Sequence, residues 1–217
     1  MKASDLIAEG NRLARPCIYL RDKGGGRPVA AWGGSSPVGA PIGATDHIHH
    51  WITLDCGLLP KEVGLSGSAS VFSARDGTQS GAFVINRTIP FEVGPDSVPL
   101  FAESALSLPP IDAVFRFGSP AVHAWLAQNN WEPSWGYNDN FRDRVTADAY
   151  EAEFQAQYPL YTGDAHAVVG GWHFTWPDDD WEQRLNDVLL LSTFKDYEPW
   201  VEVWLHEGLF EVVERIT

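Results

Sequence analysis

The sequence predicts an α+β fold: a single compact domain over residues 1–217, built on mixed or mainly antiparallel sheet with a few short helices. Three observations carry this prediction. Short runs alternate apolar and polar side chains with the period of two that a half-buried strand requires, most clearly Trp200-Val201-Glu202-Val203-Trp204-Leu205. Clusters of Gly, Pro, Asn and Asp separate these runs at turn spacing. Helical periodicity is confined to a few short stretches, each with its own start or stop signal.

In chain order, Ser4 and Asp5 open a helix with Leu6, Ile7 and Leu13 on one face, and Pro16 ends it. Gly10 lies inside this helix, so packing rather than propensity must hold it. Cys17 to Leu20 reads as a strand, Gly24-Gly25-Gly26 as a turn, and Val29 to Trp32 as a run entering Gly33-Gly34. Ser35 to Gly43 is a Gly/Ser/Pro-rich loop. His50 to Asp55 alternates, with Trp51, Thr53 and Asp55 opposite Ile52 and Leu54, and Gly67 to Ala74 alternates likewise. Gly81 to Ile85 is a further strand after the Asp76-Gly77 turn. Arg87 to Pro110 reads as irregular, with a short strand near Phe91, and Ile111 to Phe117 reads as a strand.

Ser119-Pro120 starts a helix carrying Val122, Trp125 and Leu126. Asp148 and Glu151 form a capping box for a helix whose Tyr150, Phe154 and Tyr158 share a face. Three strands close the chain, Val188 to Phe194, Trp200 to Leu205 and Leu209 to Val213, the last two joined through His206-Glu207-Gly208. The apolar density from His166 to Thr217 marks this quarter as the expected spine of the core. A weak internal duplication is also legible. Trp32-Gly33-Gly34, the strand Ile52 to Asp55, and Gly67 leading into Ser70-Val71-Phe72 are echoed by Gly170-Gly171-Trp172, Leu189-Leu190-Leu191, and Gly208 leading into Leu209-Phe210.

A formal net charge of -14 repels phosphate backbones and anionic lipid, so neither nucleic acid nor a membrane surface is expected as a partner. The same charge favours encounter with a basic protein. Cys17 and Cys56 do not make a disulfide framework and are expected as reduced thiols. Met1-Lys2-Ala3-Ser4-Asp5 lacks the pattern of a secretory signal, and no apolar run approaches the ~20 residues a membrane span needs, so a cytoplasmic location is expected.

The early glycine pair, Ile52 to Asp55 followed by Leu59-Pro60, Gly67 to Phe72, and His166-x-x-x-Gly170-Gly171 resemble the YwqG-like family, a bacterial domain of unknown function. So does the ending, Leu189-Leu190-Leu191 with a strand pair around Gly208. The resemblance implies a compact α+β domain without an assigned activity, and an immunity-type or interaction role beside a toxin. The sequence departs from the family at Ser192-Thr193, where a glutamine-acid pair is more usual.

Asp46-His47-Ile48-His49-His50 is the densest run of metal-ligating types, with His47, His49 and His50 as candidates. A zinc site draws three or four ligands from more than one segment, so solvated imidazoles at a strand entry are expected, with no metal and no cofactor. Gly64-Leu65-Ser66-Gly67-Ser68 misses the spacing of a nucleophile elbow, and Gly24-Gly25-Gly26-Arg27 is not a phosphate loop. No catalytic residue is therefore assigned. Trp131, Trp135 and Tyr137 form a candidate protein-binding surface. Trp172, Trp176, Asp178, Asp179 and Glu202 form an alternative ligand cleft of the aromatic-and-carboxylate kind that sugars and acid/base hydrolysis use. The sequence thus points first to a non-enzymatic protein-binding module with an acidic surface and an unidentified, basic partner. A carbohydrate or small-molecule binder, with acid/base hydrolysis as its activity, is the alternative.

Overall fold

The computed structural model describes residues 1–37, 39, 48–74, 81–130, 141–157, 165–172, 187–193 and 200–215. Among them are four α-helices, α1 (Ala3–Leu13), α2 (Ile111–Phe117), α3 (Pro120–Gln128) and α4 (Arg144–Gln157). The strands are β1 (Arg15–Arg21), β2 (Ala30–Trp32), β3 (Ile48–Asp55), β4 (Ser68–Ala74), β5 (Ala82–Asn86), β6 (Val98–Ser107), β7 (Ala167–Gly170), β8 (Val188–Thr193), β9 (Trp200–His206) and β10 (Leu209–Arg215). The class is therefore α+β, weighted towards sheet. The chain forms two compact units. One comprises Met1–Pro16, Leu106–Thr162 and Gly171–Leu185, the other Cys17–Ala105, Gly163–Gly170 and Asn186–Thr217.

The first unit holds the helices. The Lys2 backbone N–H donates to Asp5 Oδ2 at 3.1 Å, so Asp5 closes the start of α1 and Ser4 lies inside it. Gly10 is buried because α1 packs on Tyr150 of α4, whose hydroxyl donates to Pro109 O at 2.8 Å. Two expectations are corrected here. Ile111–Phe117 is a helix: Ala113 N–H and Val114 N–H both donate to Pro110 O, and Asp112 and Arg116 stand at the ends where their charges complement the dipole. The apolar run reads as a strand only because Ile111, Val114 and Phe115 are buried together, which short helices and strands achieve alike. In α4 the cap is Asp143, whose Oδ1 accepts from Thr146 N at 3.3 Å, so Asp148 and Glu151 lie within the helix. Asp143 Oδ2 also accepts from Trp125 Nε1 at 2.9 Å, tying α3 to the start of α4.

The second unit is built on the sheet, ordered β10-β9-β8-β7-β1-β6-β2-β3-β4-β5. Two four-strand antiparallel meanders, β2 to β5 and β7 to β10, flank the central β1 and β6. The ends of this order approach one another: Phe83 and Phe210 stack with centroids 5.2 Å apart, and Gly81 lies against Val212. The sheet is thereby curled into a nearly closed barrel. Its core takes Leu20, Trp32, Ile52, Val71 and Leu100 as well as Val169, Leu191 and Val203, so the C-terminal quarter shares the interior with the first meander and is not its sole spine. β6 and β7 are strands that the sequence reading does not assign. In β6, Pro99 interrupts the pattern and much of the strand is exposed; the strand near Phe91 is absent, and Phe91 is simply buried.

The meanders share three devices. β2 and β7 each run into a glycine pair with positive φ, Gly33-Gly34 and Gly170-Gly171. β3 and β8 each carry a register shift, at His50/Ile52 and at Leu189/Leu191. The pairs Thr53↔Ser70 and Ser192↔Glu202 occupy corresponding positions beyond those shifts. The strand matching β4 is β9, and Gly208, which opens β10, belongs instead to the turn of the last hairpin. There Glu207 (φ 47) and Gly208 (φ 83) both adopt the left-handed region of a two-residue turn.

Gly10→Ala separates packing from propensity. Within a helix this change ordinarily gains about 0.5–1 kcal/mol. Here the new Cβ would stand 2.5 Å from Tyr150 Oη, on a ring that is fully buried and bonded. We expect a net loss on the order of 2 kcal/mol in urea unfolding; a stabilised variant would refute the packing account.

Candidate functional site

The polar groups of the second unit converge at the β2–β3–β4 end of the sheet. β3 would place His50 and Thr53 on opposite faces if it were regular, since they are three positions apart. The shift at Trp51 inserts an extra residue, so His50 pairs with Phe72 and Thr53 with Ser70, which lie two apart on one face of β4. His50 Nε2 consequently lies 2.9 Å from Thr53 Oγ1. Thr53 Oγ1 lies 2.6 Å from Ser70 Oγ, and Ser36 Oγ donates to Ser70 Oγ at 2.8 Å. The other imidazole nitrogen, Nδ1, is 3.0 Å from Gly34 O.

These contacts have one consistent direction. Gly34 O can only accept, so Nδ1 carries the proton and Nε2 is the acceptor. Thr53 must then donate to Nε2 and Ser70 to Thr53, in the same sense as Ser36 donates to Ser70. Thr53 (1 % exposed) and Ser70 (0 %) are closed off from solvent. Burial holds the His50 imidazole below its ordinary basicity, partly offset by the carbonyls of Gly34, Ile52 and Gly33. Beside this chain, Trp51 Nε1 donates to Ser73 Oγ at 2.6 Å, and Trp51 meets Trp32 edge-on at 5.9 Å. At the corresponding place in the second meander, Glu202 is fully buried and its Oε2 accepts from Trp204 Nε1 at 3.0 Å.

A second polar assembly lies at the β9–β10 turn. His206 Nδ1 and Asp187 Oδ1 pair at 2.7 Å. The hydrogen bond and charge of Asp187, then the charges of Glu207 and Glu211, raise the His206 pKa above its ordinary value. Leu209, the cross-strand partner of His206, is 72 % exposed, and Val188, the partner of Leu205, is 42 % exposed.

Of the residues singled out from sequence, His47, Trp131, Trp135, Tyr137, Trp176, Asp178 and Asp179 lie outside the described residues. Trp172 is buried in the helical unit, its Nε1 donating to Leu13 O at 2.8 Å and Arg15 stacked 3.5 Å above its ring. Glu202 is buried on β9. Neither presents the exposed face expected of a cleft wall. His50 is buried with both nitrogens engaged, so the expectation of a solvated imidazole is corrected for it, whereas His49 is half-buried and meets Trp51 edge-on at 4.8 Å. Among the described residues no group of three or more His, Cys, Asp or Glu could hold a metal ion. Cys17 and Cys56 are free and buried, and burial is the main cause raising each thiol to about 11. Ser36, Thr53 and Ser70 escape the sequence reading. Hydroxyl residues carry no spacing signature, and only the register of β3 on β4 brings them together.

No family model, curated protein or solved structure matches the chain. Among the described residues no helix is long and apolar enough to cross a membrane.

The lowered basicity of His50 has a definite sign in stability. The unfolded chain binds this proton more readily, so the stability linked to the site is complete above about 6.5 and declines as pH falls through the depressed folded value. The unfolding free energy of wild type minus that of His50→Gln should therefore shrink between about pH 8 and about pH 5, by at most ~1.4 kcal/mol per pH unit. A difference that does not change with pH would contradict the buried neutral imidazole.

Proposed function

We propose that this chain is a protein-binding module that engages a basic partner through the acidic end of the β9–β10 hairpin. The observation that carries this reading is Leu209, an exposed leucine opposite His206 with exposed Glu207 and Glu211 nearby in the same hairpin, while Asp187 is turned inwards against His206. An apolar side chain beside like charges gives a partner both desolvation energy and a steering field, and the net charge of -14 extends that field over the molecule. By its resemblance to the YwqG-like family, the reading extends to an immunity-type role against a basic toxin in the cytoplasm. We also read β2 to β5 and β7 to β10 as two copies of one four-strand unit, supported by the shared glycine pairs and register shifts. The buried settings of Trp172 and Glu202 give the carbohydrate reading no comparable support.

The test uses immobilised wild-type chain and the variants Leu209→Ser and Glu207→Lys/Glu211→Lys in extracts of the native cells. The expected result is a basic protein that binds wild type when purified, elutes by about 0.5 M salt, and binds each variant at least ~10-fold more weakly. Affinity should rise a few-fold as pH increases through the raised His206 value, because His206 then loses its positive charge. A partner that ignores these substitutions, or no salt-sensitive partner, would remove the reading.

A further inference from the structure

We propose that Asn86 is an N-glycosylation site, whose side-chain nitrogen takes a sugar from a glycosyl diphosphate donor with Thr88 as the activating residue. This goes beyond the binding reading and shares no residue with the hairpin surface.

Asn86-Arg87-Thr88 is the one Asn-x-Thr or Asn-x-Ser triplet in the chain. So short a pattern recurs by chance, and what distinguishes this copy is where the fold puts it. β5 ends at Asn86, which is half-buried, and Arg87 and Thr88 are exposed on the turn that follows. That turn is fixed to β4. Ser68 pairs with Asn86, and Ser68 Oγ donates to Ile89 O at 3.0 Å. Gly67, at φ 85, comes so close that a Cβ there would collide with Asn86 O.

Within the turn the Asn86 carboxamide oxygen accepts three hydrogen bonds. They come from Thr88 N at 3.0 Å, Thr88 Oγ1 at 2.9 Å and Ile89 N at 3.1 Å. Two of these donors are backbone N–H groups, which cannot accept, so the atom they surround is Oδ1 and not Nδ2. Nδ2 has no hydrogen-bond partner among the described residues.

A carboxamide nitrogen is a poor nucleophile because its lone pair is shared with the oxygen. It becomes a good one as it loses a proton, and negative charge then gathers on Oδ1. Three donors already stand around the place where that charge develops, the arrangement that stabilises an oxyanion without reorganisation. Thr88 Oγ1 is the one side-chain donor of the three, which gives the hydroxyl two residues on its purpose.

In the step itself, Nδ2 bonds to the anomeric carbon as the bond from that carbon to the diphosphate oxygen breaks. The diphosphate leaves with the electron pair, and Nδ2 gives one proton to a carboxylate of the transferase. Nucleotide-linked and lipid-linked sugars present this same ester.

The full chain is therefore tested in two arms. One holds a soluble asparagine glucosyltransferase with UDP-glucose, the other a purified oligosaccharyltransferase with a polyprenyl-diphosphate oligosaccharide. Intact mass and peptide mapping should find one sugar, at Asn86, in at least one arm, and that arm identifies the donor class. The product should be lost in Asn86→Gln, form at least ~10-fold more slowly in Thr88→Ala, and return to within a few-fold of wild type in Thr88→Ser. Circular dichroism separates slow transfer from misfolding. Should a variant fail to fold, a linear peptide of residues 82–92 decides, because the folded chain should react at least as fast. The chain from its native cells should carry sugar on the same residue. Wild type unmodified in both arms or in those cells, folded Thr88→Ala reacting like wild type, or a peptide that outpaces the folded chain would each overturn the assignment.

Discussion

The structure depends on how β3 is buried on both faces. Four successive residues, Trp51 to Leu54, have almost no contact with solvent. A strand in that position must place apolar groups in the interior and also satisfy every polar group on its other face, because a buried hydroxyl or imidazole without a partner costs about 1–3 kcal/mol. The shift at Trp51 resolves both demands at once. It admits Trp51, Ile52 and Leu54 to the core and lines up His50 and Thr53 opposite Phe72 and Ser70. Without the extra residue His50 would lose Thr53, and the order of the whole polar chain would be gone.

The second meander meets the same constraint with different side chains. Where the first has Thr53 and Ser70, the second has Ser192 and Glu202, and where the first has Phe72 opposite His50, the second has Trp204 opposite Leu189. There the Glu202 carboxylate accepts from Trp204 Nε1, two residues along the same strand face. The common backbone therefore specifies where polarity may be buried, while the local side chains decide what chemistry that place can hold.

This division explains how much the sequence reveals. Alternation is enough to place β9 and β10, because Val201 and Val203 face the core on a regular strand and the Glu207-Gly208 turn is local. It fails at β3, where alternation assigns Trp51 to the face of Thr53 although both Trp51 and Ile52 belong to the core cluster. It fails again at β6, whose pairing with β2 outweighs the weak strand propensity of Pro99, Glu103 and Ser104. The candidate site falls in the same blind spot. His50 stands out by residue type, but Ser36 and Ser70 reach it only through a bulge and a glycine turn, neither of which is legible as a motif.

Closure of the sheet bears on how a partner can be met. An open strand edge invites recognition through backbone hydrogen bonds, which read shape and extension more than charge. Here β5 and β10, the two ends of the strand order, are drawn together by Phe83 against Phe210 and Gly81 against Val212. Strand addition is thereby disfavoured at both, and the hairpin end offers side chains rather than free backbone to its surroundings. At the β9–β10 end these are exposed Leu209, Glu207 and Glu211 beside His206. The curled sheet that hides the backbone therefore leaves charge and side-chain shape as what the partner proposed for this end would read.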